Sequence, residues 1–283
     1  MISIGIPCYN ESRNLAALLD DVLAQRCDDD LECIVVDDCS TDDTAAIVRR
    51  YASRDDRVRL VSHEKRSGST AAWNSIFASA RGVVLIKIDG DVRLADRDFV
   101  RAISAPLVRA DDAADLAYCA VLPRDPPKTW VERGTAFMYA YIARQNSLGR
   151  WTSASLFCAL LAIRRDRYAD FVIPEEVIAN DYYTARYAQA RGWRIAIVDS
   201  TVTIKPSARI QDFRKQARRA ATAHEQVRAI FGPTHRYLSK SIPAIVLTAL
   251  RDPLGAVSFL ILRRELKTDD RTTAIWEIAD STK

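Results

Sequence analysis

The sequence predicts an α/β fold with a mostly parallel central sheet and helices on both faces. Three observations carry that expectation. Apolar β segments alternate with amphipathic segments through residues 1–91, the pattern of a parallel sheet joined by right-handed helical crossovers. Several of those β segments end in carboxylates or Asn- and Gly-containing turns, at the sheet edge where such folds bind ligands. A length of 283 residues, 48% hydrophobic and 28% charged, suits one well-buried domain with an appendage and is unlike a disordered chain.

The elements follow in order. Ile2 to Pro7 is a short aliphatic strand, and Leu15, Leu18, Leu19, Val22 and Leu23 then recur at helical spacing. Leu31 to Val36 is a second strand, ended by Asp37 and Asp38. Ser40 with Asp43 resembles a capping box and opens a helix through Ile47 and Val48 to Tyr51. A strand from Val58 to Ser62, a helix from Ser69 to Ala80 and a strand from Val83 to Ile88 complete the regular half. Beyond Asp91 the pattern loosens. Strands are expected over Leu116 to Leu122 and Leu156 to Ile163, and helices over Trp130 to Leu148 and Asn180 to Arg191. Arg194 to Val198 and Thr201 to Lys205 read as two further β pieces.

A basic helix is expected from Ile210 to Ile230, carrying Arg214, Lys215, Arg218, Arg219 and Arg228. Two apolar pieces follow, Ile242 to Leu250 and Leu254 to Leu262, split by Arg251-Asp252-Pro253. Each piece has about nine residues, where a membrane span needs about 20. Two readings stay open for this tail. It is either a hairpin in a membrane interface, flanked by Arg236, Lys240, Arg263, Arg264 and Lys267, or a helical cover on the domain's own core. The organisation expected is a main domain over residues 1–205, with halves at 1–91 and 92–205, and an extension over 206–283.

A formal net charge of +4 is too small to argue for nucleic acid. The Arg-rich helix also lacks the interleaved aromatics of a nucleic-acid surface, so no such partner is expected. Cysteines at positions 8, 27, 33, 39, 119 and 158 form no C-x-x-C pair and have no His at zinc spacing. They read as reduced thiols, several buried, which fits a cytosolic setting. Met1 leads straight into an apolar β segment, so no signal peptide is expected, and the expected location is cytoplasmic, or peripheral on the inner face of the cell membrane.

The chemistry concentrates at strand ends. The fourth strand stops at Asp89-Gly90-Asp91, two carboxylates around a glycine that lets the backbone come close. Such a pair can hold a hard divalent cation and, through it, a diphosphate. Earlier ends read Pro7-Cys8-Tyr9-Asn10-Glu11 and Asp37-Asp38-Cys39-Ser40-Thr41-Asp42, and Gly68-Ser69-Thr70-Ala71-Ala72-Trp73-Asn74 opens the third helix. Far downstream, Asn180-Asp181 opens another helix. Trp73, Trp130 and Trp193 read as core; Trp151 is the tryptophan best placed to stack on a sugar.

Together these residues resemble the family 2 glycosyltransferases of the GT-A fold, a Rossmann-like nucleotide-diphospho-sugar transferase architecture. The resemblance covers about residues 1–205. It implies inverting transfer from a nucleotide sugar, with a UDP-sugar favoured. Carried over position by position, it implies that Pro7, Tyr9, Glu11, Asp38, Arg66 and Asp89 bind the donor. Asp91, with Asp89, would hold Mg²⁺ or Mn²⁺, and Asp181 would be the catalytic base. Lys65 or a basic residue of the 205–219 segment is a further candidate for the diphosphate. The family's usual Glu before the catalytic Asp is Asn180 here. The region that reads Q-x-x-R-W in polymer-making relatives is Lys215-Gln216-Ala217-Arg218-Arg219 here, which keeps an arginine but has no tryptophan. Transfer of one sugar, to a glycan or lipid-linked acceptor of the cell envelope, is therefore expected rather than processive synthesis. Two other readings compete. One is a catalytically silent sugar-nucleotide or membrane-surface binding protein, against which Asp38, Asp89, Asp91 and Asp181 are all present. The other is a nucleotidyltransferase, whose glycine-rich first loop is replaced here by Cys8 to Glu11.

Overall fold

The strand–helix alternation of the first half is present in a computed structural model, which describes residues 1–94, 96–109, 113–148, 159–232 and 242–265. In order come β1 (Ile2–Cys8), α1 (Leu15–Leu23), β2 (Leu31–Asp37), α2 (Thr44–Ala52), β3 (Val58–Ser62), α3 (Ser69–Ser79) and β4 (Val84–Ile88). The second half adds β5 (Arg93–Leu94), α4 (Phe99–Val108), β6 (Leu116–Pro123), α5 (Trp130–Ser147), β7 (Leu160–Arg164), α6 (Arg165–Tyr168), α7 (Asn180–Ala190) and β8 (Ile195–Ile204). The tail is helical: α8 (Ile210–Phe231), α9 (Ile242–Arg251) and α10 (Pro253–Glu265).

The described strands form one eight-stranded sheet in the order β3-β2-β1-β4-β7-β6-β8-β5. Strands β1 to β4 run parallel, β7 is antiparallel to both β4 and β6, β8 is parallel to β6, and β5 is antiparallel to β8. Only β5 and β7 therefore oppose the common direction, and the sheet is mostly parallel. Each strand sends alternate side chains to opposite faces. Ile2, Ile4, Ile6 and Ile86 meet Leu15, Leu18, Val22, Val48 and Ile103 on one side. Ile34, Val36 and Leu85 meet Trp73, Ile76, Phe77, Tyr183 and Val227 on the other.

Gly5 decides how closely α3 approaches. A Cβ at Gly5 would lie 2.2 Å from Ile76 Cγ2 in α3, closer than real atoms come. Gly5→Ala is expected to cost about 1–3 kcal/mol by overpacking and to lower the melting temperature by roughly 3–10 °C. A thermal unfolding curve identical to that of the parent protein would refute this account of the α3 contact.

Several sequence expectations change. Ser40 does not cap α2, which starts at Thr44 without a side-chain cap; the Ser40 hydroxyl instead accepts from Asn10 N at 2.9 Å. The two β pieces near residue 200 are one strand, β8, with a register shift between Tyr118 and Ala120 of β6. Helix α4 was not foreseen. Its apolar residues Phe99, Val100, Ile103 and Leu107 have helical spacing, but Pro106 lies inside it, and proline normally ends such a run. The strand expected from Leu156 starts at Leu160 among the described residues. Trp151, Cys158, Arg236, Lys240 and Lys267 lie outside the described residues.

Trp73 is buried as expected, whereas Trp130 is exposed. Cys33 and Cys119 are buried thiols outside any disulfide, and burial pushes both up to about 12.

Candidate active site

Because β1, β2, β3 and β4 are parallel and in register, their carboxyl ends bring four loops to one edge of the sheet. Two of those loops are laced together. Thr41 N donates to Asn10 Oδ1 at 2.8 Å, Glu11 N to Thr44 Oγ1 at 2.8 Å and Ser12 N to Asp42 Oδ2 at 3.1 Å. The lacing holds Asn10 and Cys39 at φ 54° and 61°, a left-handed conformation that non-glycine residues rarely adopt and that clusters at functional sites.

The expected donor-binding residues converge here, in different roles. Pro7 is buried one residue before the end of β1, paired with Val36. The Arg66 guanidinium sits 4.0 Å over the Tyr9 ring, making a flat, polar-edged surface at the mouth. Asp38, expected to bind the donor, is 1% exposed and turned toward the 63–68 turn. Its Oδ1 accepts from Ser67 N and pairs with His63 Nδ1, each at 2.8 Å, and its Oδ2 accepts from Gly68 N at 2.8 Å. In this structure its carboxylate holds the loop that carries Arg66. Glu11 is also buried. It accepts from Asn14 Nδ2 at 3.0 Å and lies under the acidic turn, where a Cβ at Gly90 would come within 2.8 Å of Glu11 Cγ. Only glycine fits between the two aspartates without displacing Glu11.

Asp89 and Asp91 leave the end of β4 beside a group the sequence reading passed over. Lys87, inside the apolar run of β4 and 2% exposed, pairs with Asp89 Oδ1 and lies 4.1 Å from the centre of the Trp73 ring. The signal was legible: a single charge inside a buried aliphatic strand needs a partner. Burial raises the Asp89 carboxyl to about 6, with Asp91 and Asp181 adding to the rise and Lys87 opposing it.

Asp181, about 90 residues downstream, lies near enough to act on Asp89. It occupies the first turn of α7, where Asp181 N donates to Asn180 Oδ1 at 2.9 Å and Tyr182 N to Asp181 Oδ1 at 2.6 Å. Asn180 Nδ2 in turn reaches Ser69 Oγ at 2.8 Å, tying α7 to the start of α3. Asn180 thus supports Asp181 by hydrogen bonds where the family has a second charge.

Helix α8 supplies the cationic side. Burial pushes the Arg219 guanidinium down, and Asp181 and Asp89 pull it back up, so Arg219 is within electrostatic reach of both carboxylates. His224, one turn further on, stacks on Tyr182 with centroids 4.3 Å apart, and burial lowers its pKa while Asp181 opposes the fall. Beside it, Ala220, Ala221, His224, Glu225 and Arg228 line an open pocket of about 410 Å³. Arg124 Nη2 donates to the Asp91 carbonyl at 2.6 Å, and Asp91 adds to the burial that raises the Tyr139 phenol. Of these, only Arg219 fell within the sequence candidates.

Among the described residues, no cluster of three or more His, Cys, Asp and Glu is placed to hold a metal ion. A Mg²⁺ or Mn²⁺ site needs no such cluster, since these ions commonly take one or two protein carboxylates and fill the remaining positions with phosphate oxygens and water. Asp89 and Asp91 supply hard oxygen donors of that kind.

The chain matches the family model described as glycosyl transferase family 2 over residues 3–169. It is 34% identical over 93 residues to dolichyl-phosphate beta-glucosyltransferase ALG5C of Trichomonas vaginalis, covering 30% of this chain and 28% of that protein. Matches to curated relatives of this kind span about 30% of the relatives' own length. The structure resembles the mannosyltransferase PcManGT of Pyrobaculum calidifontis, solved with GDP-Man and Mn²⁺, at a TM-score of 0.66 and 22% identity, covering 96% of this chain and 76% of that one. It also resembles glucosyl-3-phosphoglycerate synthase of Mycobacterium tuberculosis, solved with Mn²⁺, UDP and phosphoglyceric acid, at a TM-score of 0.55 and 18% identity, covering 83% and 80%. At these identities the structural likeness establishes the GT-A fold. The sequence match reaches further: the chain belongs to glycosyl transferase family 2.

Proposed function

We propose that the chain transfers a single sugar, with inversion, from a nucleotide sugar to an acceptor hydroxyl or lipid phosphate in a divalent-metal-dependent reaction, with a UDP-sugar the favoured donor. The observation that carries this reading is the electrostatic meeting of Asp89, Asp91, Asp181 and Arg219, from three separate segments, at the carboxyl edge of the parallel strands. The neighbours' GDP-mannose, UDP and Mn²⁺ and the relative's dolichyl phosphate support the donor, metal and acceptor classes.

In this reading the nucleoside lies along the Tyr9–Arg66 surface, and Asp38 and Glu11 hold the loops that shape it. Asp91, assisted by Asp89, would hold Mg²⁺ or Mn²⁺, which supplies Lewis-acid stabilisation of charge on the departing diphosphate. Lys87 fixes the direction of the Asp89 carboxylate. Arg219 faces the same charge from α8. Asp181 accepts the proton of the acceptor hydroxyl as its oxygen attacks the anomeric carbon from the side opposite the diphosphate. The new C–O bond forms as the bond to the diphosphate breaks, and that electron pair leaves with the nucleotide. Loss of an acidic residue would have favoured the silent-binder alternative, and Asp38, Asp89, Asp91 and Asp181 are all present in the sequence.

Calorimetry of UDP and GDP, each with Mn²⁺ or with EDTA, tests the reading. UDP is expected to bind more tightly with Mn²⁺, and equal binding in EDTA would overturn the metal's role. The pH dependence follows from Asp89, whose value of about 6 lies above that of an ordinary carboxylate. The ion binds the ionised form, so protons compete with it below that value. Apparent Mn²⁺ affinity should be flat above about pH 6.5 and fall by up to about tenfold per pH unit below 6.

A further inference from the structure

We propose that α9 and α10 dock the chain on an anionic phospholipid surface, with their outer faces in the interface. In water, a helix of a folded domain buries its large aliphatic side chains and presents small or polar ones to solvent. This pair does the reverse. Ala244 and Thr248 of α9, with Gly255, Ser258 and Leu262 of α10, are the buried positions. Ile242, Val246, Leu247 and Leu250 of α9, with Leu254, Val257, Leu260 and Ile261 of α10, are 42–76% exposed.

Close packing explains the small residues. Both helices lie against α5, and a Cβ at Gly134 of α5 would come 2.6 Å from Leu262 Cδ1 and 2.9 Å from the Ser258 carbonyl carbon. The Thr248 hydroxyl is satisfied within its own helix, donating to Ala244 O at 2.7 Å. Small residues at helix contacts and large aliphatics facing outward are the arrangement used where lipid is the solvent.

The break between the helices is built. Asp252 Oδ1 accepts from Gly255 N at 2.9 Å and pairs with Arg133 of α5 at 3.5 Å, fixing the corner to the domain. Since both inner faces meet α5, both apolar outer faces point away from it. No described helix is long and apolar enough to cross a membrane, so these faces suit the interface rather than the bilayer core.

The chemistry of the patch selects lipid over a second copy. Protein interfaces are enriched in aromatic side chains, yet the exposed stripe is wholly aliphatic, and Phe259 is turned inward onto Phe137 with ring centres 5.5 Å apart. The exposed charged side chains described on the pair are basic, namely Arg251, Arg263 and Arg264, which complements anionic headgroups. The inference draws on the proposed function only in that a lipid-linked acceptor would be met at such a surface.

Flotation of the full chain with phosphatidylcholine vesicles, with and without phosphatidylglycerol, tests the proposal. At least about tenfold more protein should bind the anionic vesicles. The double substitution Leu250→Asp with Leu254→Asp, at positions 76% and 64% exposed, should reduce that binding about 100-fold. Its thermal unfolding and its Mn²⁺-dependent UDP binding in lipid-free buffer should be unchanged. Absence of partitioning, full partitioning of the double variant, or self-association of the parent that the same substitutions abolish would each overturn the proposal. Loss of UDP binding by the parent chain would instead sink the proposed function and leave the vesicle result standing.

Discussion

Asp181→Asn should abolish most sugar transfer while leaving the fold and donor binding intact. General-base catalysis contributes typically 10²–10⁴-fold, so the transfer rate should fall by about that factor. The structural argument for an intact fold is local. Asparagine keeps the Oδ1 acceptor that Tyr182 N uses at 2.6 Å, and the Asn180–Ser69 hydrogen bond that ties α7 to α3 is untouched. UDP affinity with Mn²⁺ should stay within about twofold, because Asp181 contributes no metal ligand in this reading. Steady-state transfer beside calorimetry separates the two effects. Normal turnover in the variant would remove Asp181 as the base, whereas lost donor binding would make it a binding residue.

The regular half of the fold was legible because burial left a simple record. Ile2, Ile4 and Ile6 alternate with Ser3 and Gly5, and Leu15, Leu18, Leu19 and Val22 keep helical spacing, so each element announced its own period. The acidic turn at Asp89-Gly90-Asp91 was equally visible. Asp181 was legible only through resemblance, since nothing local separates a first-turn carboxylate that serves the helix dipole from one that serves a substrate. Contacts made by folding were least legible. Asp38 carries the right residue type, but its hydrogen bonds to Ser67, Gly68 and His63 depend on a turn whose path the sequence does not display. The tail shows the same limit differently. Its two apolar pieces were evident from composition, but which face looks outward depends on how closely Gly134 lets α10 approach.

Asp91→Ala should be more damaging to metal-dependent binding than any change at Asp89, and milder in its effect on stability. Asp89 leans on Lys87, a 2% exposed cation inside β4, so part of its charge serves the strand. Asp91 raises the Asp89 pKa, which is repulsion between like charges that a cation would relieve. Removing Asp91 should therefore weaken UDP binding in the presence of Mn²⁺ about 100-fold or more and leave the metal-free melting temperature unchanged or slightly raised. Asp89→Asn should behave in the opposite sense. It deprives Lys87 of the carboxylate it pairs with, which should cost at least about 1 kcal/mol of stability, while Asp91 retains weakened metal binding. Paired melting curves and Mn²⁺ titrations of the two variants resolve the division of labour. Parental Mn²⁺-dependent UDP binding in Asp91→Ala would show that the cation is held elsewhere. Equal melting temperatures for Asp89→Asn and the parent would show that Lys87 does not depend on Asp89.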